Sequence, residues 1–207
     1  MPTTRFVREK RLNTPNAITV ARIVITPFIA WLILADGVGE RWAAFLVFSV
    51  AAISDVVDGR LARSNEEVTR FGQLLDPIAD KLLVLVTFLP LYGMGLLPLW
   101  FVILVLGRDF AMTAFRRFAL SRGELIAASG WGKLKTVIQN WFIGSILVMR
   151  INDAYAVRGA SGANFEHWQS YTLLVIDVGF WFVVALTTIS LLDYLYSHRG
   201  LWIGRTA

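Results

Sequence analysis

Long apolar runs, interrupted by short polar segments, dominate the pattern of this chain. Six of them approach the length of about 20 residues that crosses a bilayer as a helix. They cover residues 17–35, 42–60, 77–95, 97–117, 132–151 and 171–196. Because six such helices use most of the 207 residues, we predict a single all-α domain over residues 1–207. The predicted fold is a polytopic integral membrane protein with six transmembrane helices, preceded by a basic juxtamembrane segment over residues 1–15.

The composition argues against an ordinary soluble domain. Hydrophobic residues make up 56% of the chain and charged residues only 17%. The chain contains no cysteine, which excludes disulfides, thiol chemistry and zinc or iron–sulfur centres held by cysteine.

Positive charge is distributed unevenly between the two predicted membrane faces. Of the 20 Lys and Arg residues, 14 lie on one side, whereas Arg41, Arg150 and Arg158 lie on the other. The 14 are Arg5, Arg8, Lys10, Arg11, Arg60, Arg63, Arg70, Arg116, Arg117, Arg122, Lys133, Lys135, Arg199 and Arg205, and the remaining Arg22, Lys81 and Arg108 lie within predicted spans or at their ends. By the positive-inside rule, both termini face the cytoplasm, in an inner (cytoplasmic) membrane. We attribute the net charge of +5 to this bias and to anionic headgroups, and expect no nucleic-acid partner.

The stretch 152–170 is the longest segment without an apolar run. It is polar, rich in Gly and Ala, and falls on the predicted outer side of the membrane. We expect a variable external loop there, remote from any chemistry.

Four carboxylates interrupt the most apolar part of the chain: Asp55, Asp58, Asp76 and Asp80. An ionised Asp at the middle of a membrane helix costs about 3 kcal/mol on insertion scales, so four together require a compensating positive charge. Asp55 and Asp58 have i, i+3 spacing, and Asp76 and Asp80 have i, i+4 spacing, so each pair lies on one face of its helix. Two such pairs facing each other form an all-oxygen cage suited to Mg²⁺ or Mn²⁺. An ion-pair network with Arg22, Arg63 or Lys81 is the structural alternative.

The acidic segment also follows a longer pattern, DxxDGxxAR, eight further residues, then GxxxDxxxD. Its defined positions are Asp55, Asp58, Gly59, Ala62, Arg63, Gly72, Asp76 and Asp80. This pattern resembles the signature of the CDP-alcohol phosphatidyltransferases, integral membrane enzymes that move a phosphatidyl or related group from a CDP-linked donor to an alcohol. The resemblance implies a two-metal mechanism with two divalent ions, Mg²⁺ or Mn²⁺, and a homodimer.

The same resemblance implies roles for individual residues. Asp55, Asp58 and Asp76 are metal ligands, and Asp80 is both a ligand of the second metal and the general base for the acceptor hydroxyl. The CDP donor is bound by a set that includes the polar face at the start of the first helix: Asn16, Thr19, Asp58, Gly59, Ala62, Arg63 and Gly72. From the residues alone, Asn16 is interpreted as a helix cap. Gly59, Ala62 and Gly72 can likewise be interpreted as positions where helices pack closely.

A second polar cluster lies in residues 107–139. Its cations surround one predicted cytoplasmic connection and suit an acceptor that carries phosphate; the candidate phosphate-binding residues are Arg108, Arg116, Lys133 and Lys135. The order RD, RR, IAAS and GKLKT, followed by Gln139, looks like the branch of the family that uses CDP-diacylglycerol as donor and sn-glycerol 3-phosphate as acceptor. Asp109 departs from that pattern, because we expect Glu after the Arg, and its role stays open.

Two other interpretations remain. One is a transferase of the same family that uses inositol phosphate, serine or a second phospholipid as acceptor. The other is a metal-ion transporter or metal-binding membrane protein. A transporter is expected to place charges along a path through several spans, whereas the acids here cluster at one membrane face.

Overall fold

The computed structural model describes residues 14–64, 70–121, 130–159 and 162–197. Within these ranges the chain forms six α-helices and no β-strand. They are α1 (Thr14–Leu34), α2 (Val38–Ser64), α3 (Arg70–Gly93), α4 (Leu99–Ser121), α5 (Gly130–Val157) and α6 (Ala163–Ser197). The prediction of an all-α fold with six helices is confirmed. Most of the predicted juxtamembrane segment, residues 1–13, lies outside the described ranges.

The predicted external loop over 152–170 is wrong. Helix α5 continues to Val157 and α6 already begins at Ala163, so most of this polar stretch is helical. The two helices are joined there by a hydrogen bond of 3.4 Å from Asn152 Nδ2 to Thr172 Oγ1. The loop was predicted from the polar composition of this stretch. Where the end of a helical hairpin is exposed to water, however, its residues can be polar and still helical.

Each helix packs most extensively against two others. These contacts join α1 to α2, α2 to α5, α5 to α6, α6 to α4, α4 to α3 and α3 back to α1. The six helices therefore form a closed ring. In this ring α1 lies between α2 and α3, the two helices that carry the acidic motif, while α4, α5 and α6 complete the other side.

Aromatic side chains from four helices pack together inside the ring. Phe101 of α4 stacks on Phe180 of α6, with ring centroids 4.6 Å apart and an interplanar angle of 22°. Phe88 of α3 and Phe142 of α5 meet Phe101 edge to face, each at 5.7 Å. Phe88, Phe101 and Phe142 are fully buried. Four helices thus share one aromatic core, whose ring pairs add stabilisation beyond the burial of their area.

A buried arginine closes the end of the ring opposite the acidic motif. Arg150 of α5 contacts Met94, and its Nη2 donates to the carbonyl of Ala35, just after α1, at 3.4 Å. Arg41 of α2 donates in turn to the Arg150 carbonyl at 2.5 Å. Arg41 and Arg150, which the sequence predicts on one side, therefore lie together.

The exterior of the ring is apolar, unlike that of a soluble bundle, and its mainly apolar interior also contains buried polar and charged side chains. Each helix exposes large apolar side chains; examples, one from each of α1 to α6, are Val24, Val50, Leu89, Ile103, Val137 and Trp181. Within the described residues, Asn164–Ser197 is the one helical segment long and apolar enough to cross a membrane, and Thr19–Leu34 and Lys81–Gly93 are apolar but shorter. The six-span topology stays a prediction.

Gly179 provides a test of the packing between α5 and α6. A Cβ atom at Gly179 would lie 3.0 Å from Cδ2 of Phe142 and 3.3 Å from Cζ3 of Trp141. Since Phe142 is fully buried, it has little room to yield. We expect Gly179→Leu to destabilise the fold by about 1–3 kcal/mol, as overpacking does, and to lower the midpoint of thermal unfolding in detergent.

Gly144→Leu is the matched control. A Cβ at Gly144 meets nothing closer than 3.9 Å, and this residue borders an open groove between α2, α5 and α6. Its unfolding midpoint should stay at or above that of the parent chain, because Leu has a higher helix propensity than Gly. Equal effects at both glycines would contradict close packing at Gly179.

Candidate functional site

The four motif acids lie on two helices that both pack against α1. Asp55 and Asp58 are on α2, and Asp76 and Asp80 are on α3. The helical backbone at these positions confirms that each pair shares one helix at the predicted spacing. Their side chains lie outside the described residues, so the predicted metal cage stays a prediction. The same holds for the side chains of Asn16, Gly59, Ala62, Arg63, Gly72 and Lys133.

Among the residues whose side chains are described, no group of three acidic, His or Cys side chains gathers into a metal site. Ala79 and Lys81, which flank Asp80, are described. Ala79 is fully buried, which places this turn of α3 against the bundle. Lys81 Nζ donates to Thr113 Oγ1 of α4 at 2.7 Å and lies 5.4 Å from the ring centroid of Phe110. The turn of α3 that carries Asp80 is therefore anchored to α4.

Helix α1 presents a buried polar stripe to the bundle. Thr19 is 3% exposed, Arg22 is 5% exposed and Thr26 is 1% exposed. Thr26 Oγ1 donates to the Arg22 carbonyl at 2.6 Å, which satisfies that hydroxyl within the helix. Thr19 and Arg22, three residues apart on α1, thus share a buried face of this helix.

The strongest ionic contact in the described residues joins α4 to α5. Lys135 Nζ donates to both carboxylate oxygens of Asp109, each at 2.8 Å. Arg108 Nη1 donates to Asp109 Oδ1 at 2.9 Å, and Nη2 donates to Ser190 Oγ of α6. We call these residues, Arg108, Asp109, Lys135 and Ser190, the ionic cluster. It answers the open question about Asp109, which is the counter-ion of both neighbouring cations.

Burial differs sharply among the charged members of the ionic cluster. The side chain of Lys135 is 1% exposed and that of Arg108 is 8% exposed, whereas that of Asp109 is 20% exposed. The carboxylate is therefore the member nearest to solvent or ligand. Arg108 Nε is buried and has no hydrogen-bond partner among the described residues, so the cluster keeps unused donor capacity.

The predicted acceptor-binding cations are only partly brought together. Arg108 and Lys135 both donate hydrogen bonds to Asp109. Arg116 lies two turns after Arg108 on α4 and interacts electrostatically with the Tyr194 hydroxyl of α6. Its Nε is buried and has no hydrogen-bond partner among the described residues. Arg116 therefore borders the cluster on the side of the C-terminal end of α4.

Sequence reasoning missed Ser190 and gave no role to Gln139. Ser190 is fully buried and sits in an apolar run of α6, where no pattern marks it. Gln139 is 2% exposed, and its Oε1 has no hydrogen-bond partner among the described residues. It lies one turn after Lys135 on the same face of α5, a spacing that would have pointed to it.

The closed helical ring defines an all-helical bundle that is apolar outside and holds buried charged side chains within an otherwise apolar interior. Comparison with known proteins makes this specific: the family model for CDP-alcohol phosphatidyltransferase matches residues 12–189. The chain belongs to the CDP-alcohol phosphatidyltransferase family, and is accordingly a phosphatidyltransferase. The resemblance noted in the acidic motif is confirmed.

Curated relatives of this chain differ in the acceptor that their names give. A "CDP-diacylglycerol--glycerol-3-phosphate 3-phosphatidyltransferase" of Bacillus subtilis is 38% identical over 148 residues, covering 66% of this chain and 77% of that protein. A protein of the same name from Rickettsia bellii is 34% identical over 185 residues, covering 88% and 93%. A "Cardiolipin synthase (CMP-forming)" of Streptomyces coelicolor is 37% identical over 110 residues, covering 51% of each chain.

Removing the charge of Asp109 should destabilise the bundle. Asp109→Asn leaves Lys135 and Arg108 buried without their counter-ion, and breaking a buried pair from one side costs about 3–5 kcal/mol. We expect a lower thermal unfolding midpoint in detergent, and a smaller loss for Asp109→Glu, which keeps the charge.

Asp36→Asn is the control. Asp36 also pairs with an arginine, Arg41, at 3.3 Å, but its side chain is 94% exposed, so little stability should be lost. An unfolding midpoint for Asp109→Asn equal to that of Asp36→Asn would contradict the buried role of the ionic cluster.

Proposed function

We propose that this protein transfers a phosphatidyl group from CDP-diacylglycerol to sn-glycerol 3-phosphate, forming phosphatidylglycerophosphate and CMP. The family supports the reaction class, and the names of the Bacillus and Rickettsia relatives support this donor and acceptor. The observation that carries the choice of acceptor is the buried cationic pair of Arg108 and Lys135. An anionic acceptor accounts for two cations held in the interior beside the acidic helices.

The acidic motif is the proposed donor and metal site. Asp55, Asp58, Asp76 and Asp80 would hold two divalent ions, Mg²⁺ or Mn²⁺, because hard cations prefer oxygen ligands. Their positions on α2 and α3, two helices that flank α1, fit such a donor set. When bound, the ions neutralise charge on the diphosphate and on the leaving CMP.

The remaining contacts with the donor are made by residues of the protein itself. Arg63 pairs with a phosphate, while Gly59, Ala62 and Gly72 allow the nucleotide or a neighbouring helix to approach closely. Asn16 and Thr19 border the same site from α1; the burial of Thr19 supports this placement. These roles follow from the family resemblance and from the position of α1 between α2 and α3.

Asp80 is the proposed general base. A carboxylate is a weak base for an alcohol, so proton removal has to accompany attack of the acceptor hydroxyl on the donor phosphorus. The Lys81–Thr113 hydrogen bond supports this role, because it holds the turn of Asp80 against the helix that carries Arg108 and Asp109. A hydroxyl of an acceptor bound near the ionic cluster thereby comes close to the base.

The acceptor phosphate is bound by Arg108, Arg116, Lys133 and Lys135 in this proposal. Lys135 and Arg108 form its buried end and Arg116 its half-buried flank. Arg108 Nε and Arg116 Nε, both buried without a hydrogen-bond partner among the described residues, are donors suited to phosphate oxygens.

The proposed location is the inner (cytoplasmic) membrane, with six spans, cytoplasmic termini and the active site facing the cytoplasm. The apolar exterior of all six helices supports it, since soluble proteins rarely expose contiguous apolar surface of that extent. The charge bias between the two ends of the bundle supports the orientation. We also propose a homodimer, on family resemblance alone.

A second acceptor is the competing candidate. The relative named cardiolipin synthase supports a phospholipid, rather than glycerol 3-phosphate, as acceptor in a protein of this family. Inositol phosphate and serine are the other acceptors that the sequence leaves open.

CMP release decides among these candidates. We expect purified protein with CDP-diacylglycerol and Mg²⁺ to release CMP with glycerol 3-phosphate, and not with phosphatidylglycerol, inositol phosphate or serine. Asp80→Asn should abolish release while the unfolding midpoint stays unchanged. Release with another acceptor would replace the proposed substrate, and absence of release with every acceptor would refute the transferase function.

Lys135→Met tests the acceptor site. The change keeps an unbranched side chain that is one atom shorter and removes its charge, and hydrogen bonds to charged groups contribute about 1.5–3 kcal/mol. We expect KM for glycerol 3-phosphate to rise about 10- to 100-fold, with KM for CDP-diacylglycerol within twofold. Arg117→Met, at an exposed position of α4, is the control and should leave both constants unchanged. An unchanged KM for glycerol 3-phosphate in Lys135→Met would contradict the site.

A further inference from the structure

Thr113 of α4 makes hydrogen bonds in two directions. Its Oγ1 accepts from Lys81 Nζ of α3 at 2.7 Å and donates to the carbonyl of Asp109, one turn earlier on α4, at 3.0 Å. An ammonium group can only donate, so the hydroxyl must accept from it and has its one proton left for the carbonyl. Both uses of the hydroxyl are therefore fixed, and the side chain joins α3 to one particular turn of α4.

The residues that Thr113 joins belong to different parts of the proposed site. Lys81 directly follows Asp80, the proposed general base. Asp109 is the counter-ion of the two buried cations that are proposed to bind the acceptor phosphate. A continuous chain of hydrogen bonds thus runs from the turn of the base, through Thr113, to the residue at the centre of the ionic cluster.

The contact between α3 and α4 is modest, so single bonds weigh more in setting their alignment. Helix α3 packs far more extensively against α1 than against α4. The aromatic contact of Phe88 with Phe101 also joins α3 to α4, but Phe88 lies about 10 Å further along α3 than Lys81. Beside the base, Lys81 contacts both the Thr113 hydroxyl and the ring of Phe110. Of these two contacts the hydrogen bond is the directional one, because it weakens steeply when it is bent.

We propose that Thr113 is a positioning residue for phosphatidyl transfer, whose hydroxyl holds the turn of Asp80 at a fixed height relative to the acceptor site at Asp109. The inference rests on the proposed function, in particular on the roles of Asp80 and of the ionic cluster. Attack on the donor phosphorus needs the acceptor hydroxyl and the base in alignment, and a displacement of about 1 Å can cost on the order of 100-fold in rate. Thr113 acts on the reaction only through its two hydrogen bonds.

Thr87 is a threonine of α3 whose hydroxyl has a structural role alone. It is fully buried, and its Oγ1 donates to the Leu83 carbonyl of the same helix at 2.6 Å. Removing this hydroxyl breaks one bond inside α3, whereas removing that of Thr113 also breaks a bond between two helices. Thr87→Val is therefore the matched control for Thr113→Val.

CMP release by the purified protein, with CDP-diacylglycerol, glycerol 3-phosphate and Mg²⁺, tests the role of Thr113. Thr113→Val keeps the shape of the side chain and removes its hydroxyl. We expect kcat to fall about 10- to 100-fold, while KM for each substrate stays within about twofold of the wild-type value. Thr113→Ser, which keeps a hydroxyl, should recover most of the lost kcat. Thr87→Val should leave kcat and both KM values within about twofold of wild type.

A double-mutant cycle tests whether Thr113 acts through Lys81. Lys81→Met removes the donor of the same hydrogen bond, so adding Thr113→Val to it should lower kcat further by no more than about twofold. A further loss as large as that of Thr113→Val alone would overturn the proposal. Thr113→Ala, which also lacks the hydroxyl, takes the place of Thr113→Val if that variant does not fold.

The positioning role and the transferase function fail in different ways. A wild-type kcat in Thr113→Val, a raised KM for glycerol 3-phosphate at unchanged kcat, or an equal loss of kcat in Thr87→Val would overturn the positioning role and leave the transferase function intact. No release of CMP by the wild-type protein would overturn the function itself.

Discussion

The bonds from Lys135 to Asp109 are the contact on which the arrangement of α4, α5 and α6 depends. An ammonium group that is 1% exposed in an apolar bundle costs several kcal/mol unless it is paired and fully hydrogen-bonded. Asp109 meets this need with both carboxylate oxygens, which restricts the rotation and height of α4 against α5. Arg108 extends the constraint to α6 through Ser190. Three helices are thus held in the one relationship that keeps these charges compensated, and the site proposed for the acceptor is built from the same bonds.

The closed ring divides the bundle into two halves with separate chemistry. Helices α1, α2 and α3 carry the acidic motif and the buried polar stripe, whereas α4, α5 and α6 carry the ionic cluster. Lys81 couples the halves where α3 meets α4, and the aromatic core around Phe101 joins α3 to α6. At the far end, Arg150 links α5 to the end of α1. Reacting groups on different helices need fixed separations, and a ring that is closed at every contact supplies them without requiring long loops.

The sequence predicted the six helices and the family because both leave repeated marks: apolar runs of bilayer length and eight motif positions with fixed spacing. It failed at 152–170, where a polar composition suggested a loop although helix α5 and helix α6 continue as an exposed hairpin. It identified Arg108 and Lys135 as cations of one site but not the bond from Lys135 to Asp109, because a contact between residues 26 positions apart has no local signature. Ser190 was undetectable for the same reason. The cage of motif acids remains a prediction, since those side chains lie outside the described residues.

Charge balance explains why an acceptor site of this kind needs more than its buried cations. Arg108 and Lys135 carry two positive charges and Asp109 one negative charge, so the ionic cluster has a net charge of +1. A phosphate monoester brings a charge of about −1.5 to −2 at pH 7, which this cluster alone does not balance. Asp109 therefore stabilises the bundle when no acceptor is bound, at the expense of phosphate affinity. The remaining positive charge has to come from cations nearer the helix ends, where Arg116 of α4 and Lys133 of α5 are placed by the sequence. On this argument both pairs contribute to phosphate affinity: the buried pair also orients the acceptor, and the outer pair supplies the charge that the ionic cluster lacks.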